Sequence, residues 1–178
     1  MTRRVLLVPH PRRPDIGDIA RDVATRLGAQ GVATTMIATD AAALHATDIG
    51  PTTVVPDAGA ANNCELVCVL GGDGTILRGA ELSRGTDTPL LGINLGKVGF
   101  LAEVEMADLA TTVDRIVARD YTVEDRMTLD VTVSHGAGGD SRSRAAFSML
   151  TSLSAQVRES TPAPWLTVTS RVIRSSTV

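Results

Sequence analysis

Aromatic residues are scarce in this chain: one Trp, one Tyr and two Phe among 178 residues. A core must therefore be packed from Val, Leu, Ile and Ala, and the 43% hydrophobic share supplies them. Lysine is scarcer still, Lys97 being the only one. A net charge of −3 gives no basic surplus, which argues against a dedicated nucleic-acid or anionic-membrane binder. No apolar run approaches the roughly 20 residues that a membrane-spanning helix needs. The opening run Val5-Leu6-Leu7-Val8 is too short for a signal peptide and reads as a first strand. These absences lead to the expectation of a soluble cytoplasmic protein, long enough for one domain and part of a second.

Cysteine is limited to Cys64 and Cys68, four positions apart on or beside one expected strand. In an extended strand their Cα atoms would stand ~13 Å apart, too far for a disulfide. No further ligands cluster near them, so buried reduced thiols are expected and no metal residues are assigned. His10, His45 and His135 are scattered singly, and none is given a catalytic role.

What is present is an alternation of strand and helix patterns. Val5 to Pro9 reads as a strand. Residues 16, 19, 20, 23, 24 and 27 are apolar at helical spacing, with acids early, Arg26 late, and Gly28 or Gly31 to stop the helix. Val32 to Ala38 reads as a second strand. Residues 40–63, rich in Ala, Asp, Thr, Gly and Pro, read as a short helix over Asp40 to Leu44 and then a loop. A buried strand at 65–70, a helix to about Ser83 and a strand over Pro89 to Asn94 follow. A helix over 106–119 is expected to bury 106, 109, 110, 113, 116 and 117. Strands alternating with helices imply parallel pairing with right-handed crossovers. The fold class expected is α/β, a Rossmann-like parallel sheet with flanking helices over residues 1–121. From residue 122 to 178 the start of an incomplete all-β domain is expected, because Met127, Leu129, Val131 and Val133 alternate with polar residues. Phe147 to Val157 could form a weak helix and Leu166 to Ile173 a strand. Residues 140–178 hold no glycine and carry a charge of +3, against −6 for the residues before them.

The chain is organised around Leu70-Gly71-Gly72-Asp73-Gly74-Thr75-Ile76-Leu77-Arg78. Strand, glycine-rich turn and helix start together make a common phosphate cradle. The glycines are expected to turn tightly and bring backbone N–H groups to an anion, and the helix dipole adds positive character. Asp73 is the odd member, since a carboxylate repels phosphate. It makes sense if it binds a metal, takes a proton from an attacking hydroxyl, or grips a ribose hydroxyl. A second glycine loop, Asn94-Leu95-Gly96-Lys97-Val98-Gly99-Phe100-Leu101, closes the next strand. Lys97 there is either a solvated loop charge or a phosphate or partner contact.

Gly71-Gly72-Asp73-Gly74-Thr75 with Arg78, followed by that second loop and by Val123-Glu124-Asp125-Arg126-Met127-Thr128-Leu129, resembles the NAD kinase family. Lipid kinases of the diacylglycerol-kinase type share the pentapeptide, but the second loop at this spacing is much more specific. The resemblance covers roughly residues 1–135. It implies transfer of the ATP γ-phosphoryl, or of a polyphosphate group in some members, to the adenosine-ribose 2′-hydroxyl of NAD. Asp73 would then be the catalytic base or would hold the hydroxyl in line. Gly72 and Gly74 would present N–H groups, and Thr75 a hydroxyl, to the phosphates. Arg78 would grip an anion bidentately, and Asn94 would hydrogen-bond the nucleotide. Mg²⁺ would neutralise the triphosphate, held mostly by phosphate oxygens and water. Partners would be NAD and ATP, with no nucleic acid or membrane. The family is generally oligomeric, although a missing β domain would remove interface.

The resemblance also implies what is not found. Family members supply an Asn-acid pair and a Thr-Pro-Thr-Gly-Ser-Thr-Ala-Tyr-like loop from their β domain; Ala145-Ala146-Phe147-Ser148 stands about where the pair is expected. A truncated or frameshifted chain after about residue 135 is therefore expected. Two alternatives to an active kinase follow: an inactive nucleotide-binding fragment, and a diacylglycerol-kinase-like lipid kinase.

Overall fold

The computed structural model describes residues 2–44, 52–56, 59–95, 104–134, 142–146 and 165–177, with side chains as far as Asp125. Two compact units divide the chain. The first comprises Met1–Glu124 with Arg174–Val178, and the second Asp125–Ile173.

Six parallel strands form the sheet of the first unit: β1 (Arg4–Pro9), β2 (Ala33–Ile37), β3 (Thr52–Val55), β4 (Leu66–Leu70), β5 (Leu90–Asn94) and β6 (Val104–Glu105). Their spatial order is β3-β2-β1-β4-β5-β6. The helices are α1 (Ile16–Ala29), α2 (Ala38–Ala43), α3 (Asp73–Ser83) and α4 (Leu109–Ala118). β4 is buried along its whole length and β1 from its second residue, which is why both are unbroken apolar runs. On one face Val5, Leu7, Leu66, Cys68, Leu70, Leu91 and Ile93 pack with the apolar stripes of α1 and α4. All six α1 positions expected from helical spacing are the buried ones. On the other face α3 lies close to the sheet at Gly79, where a β-carbon would stand 2.5 Å from Val69 Cγ2 and 2.9 Å from Leu90 Cδ1.

The elements depart from expectation at three places. The expected loop contains β3, an edge strand that pairs with β2 from Thr34↔Thr52 to Ile37↔Val55. Only one of its sides is supported, and two of its four residues stay exposed, so it carries no apolar signature. The short helix begins at Ala38 instead of Asp40 and ends at Ala43. The helix expected over 106–119 is divided: Met106–Asp108 is a 3₁₀ turn, and α4 stops at Ala118 with Arg119 in the left-handed region. Met106 is consequently 42% exposed instead of part of the core.

At the amino ends of the strands, Arg3 joins two elements. Its Nη2 donates to Glu65 Oε1 at 2.7 Å, and its Nη1 and Nη2 donate to the Val117 and Ile116 carbonyls at 2.7 and 2.8 Å. Arg119 Nη2 donates to Glu65 Oε2 at 2.9 Å. A guanidinium at the C-terminus of α4 complements its dipole. Burial alone would raise the Glu65 pKa, but the hydrogen bonds from Arg3 and Arg119 outweigh it and hold the carboxyl below its ordinary value.

In the second unit, β7 (Thr122–Ser134) continues past its first residues to pair antiparallel with β8 (Arg142–Ala146), from Leu129↔Ala146 to Val133↔Arg142. The period-two stretch at Met127 to Val133 is thus antiparallel strand. β9 (Trp165–Thr177) covers the strand expected at Leu166 to Ile173. The helix expected over Phe147 to Val157 lies outside the described residues.

Candidate functional site

The strand order reverses between β1 and β4, and in such sheets ligands sit beyond the carboxyl ends of the strands at that crevice. Backbone hydrogen bonds tie the ends together: His10 N–H donates to the Leu70 carbonyl at 2.9 Å, and Gly71 N–H to the Ile93 carbonyl at 3.0 Å. A cavity of 480 Å³ opens there, lined by His10, Pro11, Arg13, Gly71, Gly72, Asp73, Gly74, Thr75, Arg78 and Leu95.

The helix begins earlier than its residue types suggest. Gly72 is the N-cap of α3, and its carbonyl accepts from Thr75 N–H at 2.9 Å and Ile76 N–H at 3.1 Å. Asp73 and Gly74 therefore belong to the first helical turn, and no side chain caps it. Here the Thr75 N–H is taken up by Gly72, and the helix N-terminus still favours an anion through its dipole. Asp73 in the first turn is stabilised by the same dipole, which removes part of the oddity of a carboxylate beside a phosphate cradle.

The three glycines serve the turn in two ways. Gly71, Gly72 and Gly74 are not among the positive-φ residues, which among the described residues are Gly31, Gly59, Gly85, Asn63 and Arg119. Gly71 is required by closeness, since a β-carbon would meet Thr75 Oγ1 at 2.5 Å and His10 Cβ at 3.2 Å. At Gly72 and Gly74 nothing lies within 4 Å of an added β-carbon. Their missing side chains leave room beside the cavity.

Arg78 lines the cavity, but its guanidinium also reaches back to α2. Nη1 donates to Asp40 Oδ1, and Nη2 donates to Thr39 Oγ1 at 3.2 Å. Thr75 is 5% exposed, tucked beneath Gly71, and still contributes to the lining. Asn94 ends β5 in register with Glu105 and is not one of the lining residues; its neighbour Leu95 is. The structure thus brings Gly72, Asp73, Gly74, Thr75 and Arg78 together and sets Asn94 just aside. The second glycine loop from Gly96 to Leu101, with Lys97, lies outside the described residues, as do His45 and His135.

Two polar lining residues were missed in the sequence. His10, a lone histidine there, stands at the end of β1 on the crevice. Its Nδ1 accepts the Arg12 N–H at 3.1 Å, so in the neutral ring the proton sits on Nε2. Arg13 donates to both Asp15 oxygens, at 2.5 and 2.9 Å, and to the Leu95 carbonyl. The Arg13 hydrogen bond holds the Asp15 carboxyl below its ordinary pKa. The signal for both was position: each follows the strand beside the one that carries the glycine turn.

Asp73 is the one carboxylate in the lining, and among the described residues no three His, Cys, Asp or Glu side chains gather as a metal site. This donor set suits a cation that arrives with phosphates and water and does not suit one caged by protein. Among the described residues, no helix is long and apolar enough to cross a membrane.

The model of the ATP-NAD kinase N-terminal domain matches residues 5–121, from β1 to the residue before β7. The chain belongs to the NAD kinase family. The NAD kinase of Thermobifida fusca is 51% identical over 137 residues, which is 75% of this chain and 42% of the relative. That of Mycolicibacterium paratuberculosis is 47% identical over 148 residues, 75% of this chain and 46% of the relative. The chain thus spans less than half the length of these curated NAD kinases. Yeast NADH kinase, solved in complex with NADH, shares the fold with a TM-score of 0.66 at 21% identity, over 81% of this chain and 46% of that one.

Proposed function

We propose that this chain carries the phosphoryl-transfer half of an NAD kinase site, which moves the ATP γ-phosphoryl to the adenosine-ribose 2′-hydroxyl of NAD. The observation that carries this reading is Asp73 in the first turn of α3, lining the switch-point cavity together with Arg78. A ribose hydroxyl is a weak nucleophile. Asp73 accepts its proton, or aligns it, as the 2′-oxygen bonds to the γ-phosphorus and the bond to the ADP oxygen breaks. The amides of Gly72, the N-cap of α3, and of Gly74 in its first turn, with the guanidinium of Arg78, stabilise the charge spread over the phosphoryl oxygens. Thr75 contributes to the wall of the nucleotide site, and Asn94, at the end of β5 beside Leu95, hydrogen-bonds the nucleotide from outside that wall. Mg²⁺ brought in by ATP supplies further neutralisation of that charge. The reading carries with it a cytoplasmic location, where both nucleotides are supplied.

A second reading is an inactive nucleotide-binding fragment. An assay with radiolabelled ATP, run once with NAD and once with diacylglycerol, separates the possibilities. Labelled NADP that disappears in Asp73→Asn supports the first reading. ATP binding by calorimetry without product supports the second. Full activity in Asp73→Asn would remove Asp73 from its role, and labelled lipid would overturn the family's acceptor.

A further inference from the structure

Asp40 belongs to neither glycine loop and has no part in the chemistry above. It stands on α2, directly after β2, and is 2% exposed. Among the described residues it is the only charged side chain buried so deeply. A carboxylate removed from water is tolerated only when a cation or strong donor meets it, and the Arg78 guanidinium does so here. Thr39, its neighbour, takes a second donor of the same guanidinium at 3.2 Å. Two of the five Arg78 N–H donors are thereby committed to α2, and three are left over.

Arg78 keeps a 33% exposed side chain and lines the cavity with Asp73. A long arginine side chain on its own samples many rotamers and must be ordered when it grips a ligand. Anchoring its head at two points before the ligand arrives lowers that ordering cost. We propose that Asp40 is a positioning residue, which fixes the Arg78 guanidinium at the cavity wall so that its remaining donors meet the polyphosphate of the nucleotide. The inference rests on the nucleotide reading of the cavity and adds the residue that presets it.

Electrostatics and positioning predict opposite signs. Removing the Asp40 charge makes the site more positive and, by charge alone, tightens binding of a polyanion. Loss of the anchor weakens it. Calorimetric titration of ATP into the full chain, Asp40→Asn, Arg78→Gln and the double variant decides between them. The expected result is about tenfold weaker ATP binding in Asp40→Asn and a similar loss in Arg78→Gln. The double variant should be no worse than Arg78→Gln alone, because the effect of Asp40 on the ligand runs through Arg78. ATP binding in Asp40→Asn as tight as in the unaltered chain, or tighter, overturns the proposal, and so does an additive double variant. Should Asp40→Asn fail to fold, Thr39→Val removes the second anchor; a two- to threefold weaker affinity supports the proposal and an unchanged one overturns it. An unaltered chain that takes up no ATP overturns the nucleotide reading itself, and this inference with it.

Discussion

A β-carbon at Gly71 would stand 2.5 Å from the Thr75 hydroxyl oxygen and 2.9 Å from Thr75 Cβ. Thr75 is buried and cannot swing away, because its backbone N–H is already closing the first turn of α3. Gly71→Ala must therefore displace the start of α3 from the end of β4. The expected cost is about 1–3 kcal/mol in urea unfolding, the range for an overpacked interior. The cavity should be distorted with it, so ATP affinity should fall in parallel.

Gly74 gives the opposite result for stability. It sits in the first turn of α3 without a positive φ, and an added β-carbon meets nothing. Gly74→Ala should therefore stabilise the fold by about 0.4–1 kcal/mol, by narrowing the unfolded ensemble and improving helix propensity. The same methyl group would occupy space beside the cavity. A higher melting temperature together with weaker ATP binding is the expected pair of outcomes. A higher melting temperature with unchanged ATP affinity would show that the ligand does not approach this turn.

The end of the sheet away from the cavity should control the response to acid. The Glu65 pKa is lower folded than unfolded, so its stabilisation is complete above the ordinary carboxylate pKa of about 4.3. It disappears as the pH falls through the lower folded value. Glu65→Gln should thus melt well below the unaltered chain at pH 7, and the gap should close as the solution becomes more acidic. Arg3→Met removes the bonds to Glu65 and to the α4 carbonyls together. A loss of about 1.5–3 kcal/mol is expected from the charged hydrogen bonds. Melting curves from pH 7 to pH 3 check both variants.

How much of this was legible in the sequence depends on the range of the interaction involved. α1, β1, β4 and β5 could be read because strong local patterns agree with burial on one face or both. β3 could not, since Thr52 to Val55 gains its place only by pairing with β2. The residue types Gly72-Asp73-Gly74 suggest a loop, yet α3 starts at Asp73 and buries Ile76 and Ala80. Asp40 and Arg78 are 38 positions apart and meet only because α2 and α3 both start at the carboxyl ends of the strands. His10 looked like a solitary histidine until the pairing of β1 with β4 set it on the crevice.

The two cysteines report on the centre of the sheet. Cys68 lies in the middle of β4 between β1 and β5, and full burial pushes its thiol pKa up to about 12. Cys64 is also buried, and desolvation raises its pKa against the lowering effect of the Thr35 contact. A thiol reacts as its thiolate, so both should be inert in the folded chain. Iodoacetamide at pH 8 should leave the native protein unlabelled and should alkylate both residues in urea. The order of labelling in rising urea is more informative than the end point. Cys64 stands just outside β4 and should react first, at concentrations where local opening suffices. Cys68 should react only with global unfolding, because exposing it means separating β4 from a neighbour on each side. Labelling of Cys68 at low urea would place β4 outside the stable core, and the glycine turn that follows it would then lack the rigid support that the proposed chemistry needs.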